Sequence, residues 1–281
     1  MLNFHIDRTV SVYMCHPLAR RLNGWRRPRI PILMYHSIRE GTEGRHPYYE
    51  TITSPRIFAQ HMKFLHENGY RTLKLAEVLL ESAGSLPPKS VVITFDDGYA
   101  DFYRIAFPIL TEHNFTATVF VITGLLKLQR MCFKGTECLN LSEIRELHSL
   151  GIGIDSHTIH HPPQLKLLPP DELENELSGS KKTLEDALGA PVKSFAYPHG
   201  FPETDRGFVT RLADLLNKCG YENCVTTILG TAHPGSNRWL LPRLPVNSWD
   251  DLRFFRAKLE GAYDWLHVPQ YFAKAVKGLL S

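Results

Sequence analysis

At 281 residues, 43% of them hydrophobic and 22% charged, the chain is long enough for one large α/β domain with a well-buried core. No apolar run approaches the eighteen or so residues of a membrane span, and no nucleic-acid partner is expected. The net charge of +3 is unevenly placed: residues 1–30 carry six arginines against Asp7, about +5, which leaves about −2 for the rest.

Five of those arginines, Arg8, Arg20, Arg21, Arg26 and Arg27, fall within residues 1–28, a basic N-terminal arm ahead of a single domain over 29–281 that begins with the sixth, Arg29. A solvated or loosely ordered terminus is favoured over contact with a membrane surface or another anionic partner. Residues 10–15 are too short for the apolar core of a secretory signal, and most of the arginines follow them rather than precede them. The five cysteines are an odd count without zinc-like spacing, so reduced thiols and a cytoplasmic setting are expected. Cys132 and Cys138 are the pair that could bridge in an exported protein.

From residue 30 onward one grammar repeats: apolar strand, loop, amphipathic helix, glycine, next strand. Strands are predicted at 30–35, 91–95, 117–122, 152–154, 194–197 and 224–228. Ser54-Pro55 caps and opens a helix with Phe58, Met62 and Leu65 on one face, and Asn68-Gly69 ends it. A longer helix, 171–188, is lined by Leu173, Leu177, Leu184 and Leu188. Alternating strands and helices imply a mostly parallel sheet, open or closed.

Polar residues cluster just after these strands: His36, Asp96 with Asp97, His157 to His161, His199 in Pro198-His199-Gly200, and Arg243 in Leu241-Pro242-Arg243. In parallel barrels, sites assemble from loops at the carboxyl ends of strands, so one composite pocket is expected. An open doubly wound sheet would also bind ligands there. No glycine-rich phosphate loop supports that alternative, and a barrel is favoured.

The run Thr94-Phe95-Asp96-Asp97-Gly98 carries the most chemistry. Side chains alternate along a strand, so adjacent aspartates point different ways and can divide labour between metal and proton. Downstream, His157, His160 and His161 have ligand spacing: the 157/161 pair is four apart and the 157/160 pair three apart. Either pair falls on one face of a helical turn, and Pro162-Pro163 limits that helix to a single turn. Asp97 plus two imidazoles is a two-His, one-carboxylate set that leaves coordination positions open.

With these residues assembled, the chain resembles the polysaccharide deacetylases of the NodB-homology family, carbohydrate esterase family four. The resemblance rests on Thr-Phe-Asp-Asp-Gly at 94–98, Ser-His-Thr-x-x-His-Pro at 156–162, Phe-Ala-Tyr-Pro-His-Gly at 195–200 and Pro-Ile-Leu-Met-Tyr-His-Ser at 31–37. The Tyr35-His36 element and the Leu-Pro-Arg ending are most similar to the branch with the poly-N-acetylglucosamine deacetylases. It implies an α/β fold, a distorted, incomplete (β/α) barrel, with one divalent metal ion, usually Zn2+. It also implies roles: Asp96 as general base, His36 as general acid, and Asp97, His157 and His161 as metal ligands, with His160 pointing away. The His199 amide would bind the oxyanion. Two positions depart from the family pattern. Ala196 stands where an arginine commonly tunes the base, a role open to Arg243, and His199 stands where an aromatic residue is usual.

The implied activity is hydrolysis of N-acetyl groups on N-acetylhexosamine units of a polysaccharide or its saccharide precursor. An O-acetyl esterase, a deformylase acting on a lipid-linked sugar, and a catalytically silent saccharide-binding module are the alternatives.

Overall fold

The computed structural model describes residues 6–22, 29–43, 47–79, 87 and 89–279. Seven parallel strands form a closed ring: β1 (Ile32–Tyr35), β2 (Ser90–Phe95), β3 (Thr118–Val121), β4 (Gly153–Ser156), β5 (Ser194–Ala196), β6 (Asn223–Leu229) and β7 (Leu241–Pro245). The order is β1-β7-β6-β5-β4-β3-β2, and β1 closes the ring by pairing with both β7 and β2. That is one strand short of the eight of a complete (β/α) barrel. It is distorted where β6 meets β7, with a register shift between Val225 and Leu229 and no helix between the two strands.

Strand β7 is absent from the sequence expectation because Pro242 and Pro245 each remove a ladder donor, which argues against a central strand. The finding corrects the position of Arg243. It does not follow a strand but sits inside one, and its side chain is completely buried.

Alternation along the strands splits the core in two. One face of the ring supplies Ile32, Val92, Phe120, Ala196, Val225 and Leu241, a small apolar interior that also takes in Leu73, Leu75 and Val78. The opposite faces, with Leu33, Ile93, Val119, Ile154 and Phe195, pack against the helices in one large cluster. Three of the helices illustrate how apolar stripes feed it. Pro55–Glu67 brings Phe58, Met62 and Leu65, Leu141–Ser149 brings Ile144 and Leu147, and Pro170–Leu188 brings Leu173, Leu177 and Leu184. The expected cap is present: the Ser54 side chain accepts from the Ile57 amide at 3.3 Å, and Pro55 opens the helix.

The N-terminal segment differs from the expected solvated arm. It is helical from Ile6 to Leu22, with a π-helical stretch at Val10–Cys15. Polar contacts dock it on the outside of the barrel. Trp265 Nε1 donates to Ser11 Oγ at 3.0 Å, Tyr263 donates to Asp7 at 3.3 Å, and His16 meets Glu260 at 2.9 Å. Arg8 ties the arm to the domain through Asp251, Arg29 at the domain's start pairs with Asp264, and Arg21 is exposed. Arg26 and Arg27 lie outside the described residues. Among the described residues no helix is long and apolar enough to cross a membrane.

Candidate metal centre and active site

His36 follows β1, Asp96 and Asp97 follow β2, the histidine cluster follows β4 and His199 follows β5, all at the carboxyl end of the ring. The interior face of β2 carries Val92 and Thr94, and Asp96 continues that register. Arg243 reaches the same interior from β7. Its Nη1 donates to Asp96 Oδ1 at 2.6 Å and its Nη2 to Oδ2 at 2.7 Å, a bidentate charge-assisted pair. Nε donates to the Thr226 carbonyl at 3.0 Å, and the guanidinium lies 5.9 Å from the Phe120 ring centroid. His36 Nε2 stands 3.9 Å from Asp96 Oδ2.

Burial by itself would raise the Asp96 pKa. Arg243, His157 and His36 together outweigh it and hold the carboxyl below its ordinary range. For His36 burial dominates and lowers the pKa, opposed by the charges of Asp96 and Asp97.

Asp97 leaves the strand register through a sharp turn. Its φ is 68° and that of Gly98 is 65°, two consecutive left-handed residues of which only the second is free of a Cβ penalty. The turn separates the two carboxylates and sets Asp97 against the histidines. Its Oδ1 lies 3.5 Å from His157 Nε2 and 3.3 Å from His161 Nε2. That oxygen is buried and accepts no hydrogen bond of acceptable geometry. The donor atoms of Asp97, His157 and His161 all lie within 4.8 Å of one another, and all three residues are buried.

These residues fit a divalent cation. His157 Nδ1 donates to the Ala196 carbonyl at 2.8 Å, which fixes the tautomer and turns the Nε2 lone pair toward Asp97. Burial would raise the Asp97 pKa too, but the facing imidazoles hold it well below the usual carboxylate range. A buried anionic oxygen without a donor, facing two imidazole nitrogens, is a donor set suited to a divalent metal ion.

The segment carrying the histidines is not the helical turn that its spacing suggests. Thr158 has φ 70° and His161 φ 54°, and left-handed residues cannot continue a right-handed helix. The bend still brings His157 and His161 together, with rings 4.8 Å apart, and turns His160 outward to Glu176 at 2.6 Å. His199 is also left-handed, at φ 56°, and packs its ring 4.4 Å from that of His161. Burial, with His161 and Lys134 nearby, pulls its pKa down to about 4. No group of the described residues accepts from its amide. Strained backbone concentrates at functional sites, and Asp97, Thr158, His161 and His199 are four of the seven non-glycine residues with positive φ among the described residues.

Sequence reasoning missed three contributors. The carbonyls of Ala196 and Thr226 carry no side-chain signal at all. Phe133, whose ring lies 5.1 Å from His161, comes from a small hairpin of Cys132–Phe133 and Thr136–Glu137. Its Lys134-Gly135 turn, left-handed at both residues, is visible in sequence only through the glycine. The same hairpin leaves Cys132 exposed opposite Glu137 while Cys138 is buried, and both thiols are free.

The chain and its fold are similar to those of known proteins. The chain is 34% identical to the Bacillus subtilis protein YxkH over 221 residues, covering 78% of this chain and 72% of that one. It is 28% identical over 199 residues to the poly-beta-1,6-N-acetyl-D-glucosamine N-deacetylase of Staphylococcus aureus, covering 68% of this chain and 66% of that enzyme. The structure of the Streptococcus pyogenes deacetylase PplD, in complex with acetate, superposes with a TM-score of 0.66 at 30% identity, over 79% of this chain and 94% of that one. With the polysaccharide deacetylase family profile matching residues 83–224, the chain belongs to the polysaccharide deacetylase family.

Proposed function

We propose that the chain is a metal-dependent N-deacetylase acting on N-acetylhexosamine units of a polysaccharide or its saccharide precursor. The observation that carries this reading is the placement of Asp97, His157 and His161 beside the Arg243-held Asp96 and His36, at one end of the barrel. Zn2+ is the proposed ion, since two imidazoles and one carboxylate suit it. Held by Asp97, His157 and His161, such an ion would polarise the acetyl carbonyl and would lower the pKa of a bound water towards neutrality.

The chain's own residues divide the remaining work. Asp96, ionised and fixed at both oxygens by Arg243, takes the proton from the attacking water. The two guanidinium bonds temper its basicity while preventing it from rotating away, so Arg243 fills the role open at Ala196. The His199 amide donates to the oxygen on which negative charge develops. His36, protonated, delivers a proton to the departing nitrogen. The poly-N-acetylglucosamine relative supports an amide substrate, and the acetate bound to the streptococcal relative is the product this reaction would release. A cytoplasmic setting belongs to the same reading, supported by the odd cysteine count, as does an arm over 1–28 whose exposed Arg21 is open to an anionic surface.

The experiment is a comparison of leaving groups. Wild type and His36→Ala, both shown to carry metal, are assayed on acetylated oligosaccharides by mass spectrometry and on an aryl acetate. An amine cannot leave as an anion, whereas a phenolate, with a conjugate acid near pKa 10, departs unaided. His36→Ala should lose about 10²-fold or more on the amide and much less on the ester. Equal losses would remove His36 from the mechanism, and full turnover of either substrate by metal-free protein would overturn the reading as a whole.

A further inference from the structure

The loop from His157 to His161 holds two left-handed residues and no regular secondary structure, yet it must present two imidazoles to Asp97. Something outside the ligand set has to fix it. On one side, Thr123 N donates to the Thr158 carbonyl at 3.1 Å and Gly124 N to the Ile159 carbonyl at 2.8 Å. A Cβ at Gly124 would lie 2.6 Å from that Ile159 oxygen, so the close approach requires glycine.

On the other side stands Glu176, buried in the middle of the helix Pro170–Leu188. One carboxylate oxygen, Oε2, accepts from the consecutive amides of Ile159 at 2.8 Å and His160 at 3.1 Å. The other, Oε1, accepts from His160 Nδ1 at 2.6 Å. His160 is its one ion-pair partner among the described residues, and the imidazole side chain is 71% exposed. A buried carboxylate without a lysine or arginine partner is expensive unless hydrogen bonds satisfy it, and successive amides of a left-handed turn form a concavity suited to an anion. Carboxylate and loop therefore stabilise each other.

We infer that Glu176 is the positioning residue of the metal centre: by holding the Ile159 and His160 amides it sets the direction in which His157 and His161 face. The inference rests on the metal-centre reading above. It also gives the third histidine a task, since His160 turns outward to complete the bonding of Glu176 rather than to bind metal.

The test uses Co2+ alone, added to chelated full-length protein and followed by its visible absorption, which reports ligand geometry without substrate. Glu176→Ala should weaken Co2+ binding by about 10- to 100-fold, the effect of losing a group that orients a ligand, and should alter the spectrum. Glu176→Gln, whose side-chain oxygen can still accept both amides, should restore most of the affinity and the wild-type spectrum. Unchanged affinity and spectrum in folded Glu176→Ala, with only a lower Tm of the metal-free protein, would overturn the inference. Should that variant fail to fold, Glu176→Asp withdraws the carboxylate by one methylene, and the same two readings decide. No Co2+ binding by wild type would instead overturn the metal-centre reading, and the inference with it.

Discussion

Among the described residues, two buried carboxylates each pair with a buried arginine or lysine, and the two pairs have opposite characters. Asp96–Arg243 lies at the candidate active site, and Asp250–Lys258 joins the segment after β7 to the helix Leu252–Leu259. All four side chains are almost fully enclosed. Around Asp250 every group is satisfied: Lys258 Nζ donates to both carboxylate oxygens at 2.8 Å and to the Pro245 carbonyl at 2.6 Å, and the Asn247 amide donates to Oδ2 at 3.1 Å. No residue there has a left-handed backbone except Gly261 beyond the helix. Next to Asp96, by contrast, Asp97 keeps a buried oxygen without a donor, and four non-glycine residues are strained. Burial outweighs Lys258 and raises the Asp250 pKa, whereas Arg243 and two histidines overcome burial and lower that of Asp96. Buried charge therefore does not itself mark a site in this molecule. An unsatisfied acceptor on strained backbone does.

That contrast breaks if the two pairs respond alike to mutation. Asp96→Asn should retain metal, since Asp97 and the histidines are untouched, and should lose about 10²- to 10⁴-fold in turnover with the proton acceptor gone. Metal content and kcat measured together decide it. A variant that lost its metal, with Asp97→Asn keeping it, would exchange the roles of the two aspartates. Lys258→Met should do the reverse. Removing one partner of a buried pair strands the other, which typically costs about 3–5 kcal/mol, while turnover per folded molecule should stay near wild type. Chemical denaturation with an activity titration measures both, and a large fall in kcat of the folded variant would place Asp250–Lys258 within the catalytic machinery.

The sequence made the two regions unequally legible. Asp96, Asp97 and the histidines could be read because their chemistry resides in side-chain type and spacing, and because apolar runs located the strand ends. The seventh strand could not, since Pro242 and Pro245 contradict the local strand signal and only long-range pairing with β6 and β1 makes a strand there favourable. Arg243 was therefore legible as a residue but not as a position. The bend at 157–161 was misread as helical because a four-residue separation can be met by two left-handed residues as well as by one helical turn. Docking of the N-terminal helix was hidden for another reason. Its contacts are long-range, such as Ser11 with Trp265 and Val12 against the core, and the sequence carries no local signal for them.

The smallest effect expected sharpens the comparison by pH. His61 connects the helix Pro55–Glu67 to the Asp250 region: Nε2 donates to the Asp250 carbonyl at 2.6 Å, Tyr35 OH donates to Nδ1 at 3.0 Å, and the ring stacks on Phe255 at 3.9 Å. Both nitrogens are engaged by a neutral imidazole, and burial pulls the pKa down to about 3, only partly opposed by the Asp250 carbonyl. In the unfolded chain His61 should titrate near its free value of about 6.5. Between those two values the unfolded state binds more protons than the folded one, so this contribution is complete above about pH 6.5 and declines as pH falls toward 3. Other histidines of lowered pKa, among them His36, His161 and His199, add to the same trend, so the wild-type curve alone cannot isolate His61. His61→Gln, which cannot titrate, should be less stable than wild type at pH 7.5, yet lose less further stability on going to pH 5. Urea denaturation of both proteins at the two pH values gives the difference. Parallel losses would mean that His61 is not held neutral, and that the Asp250 region is as responsive to protons as the active site.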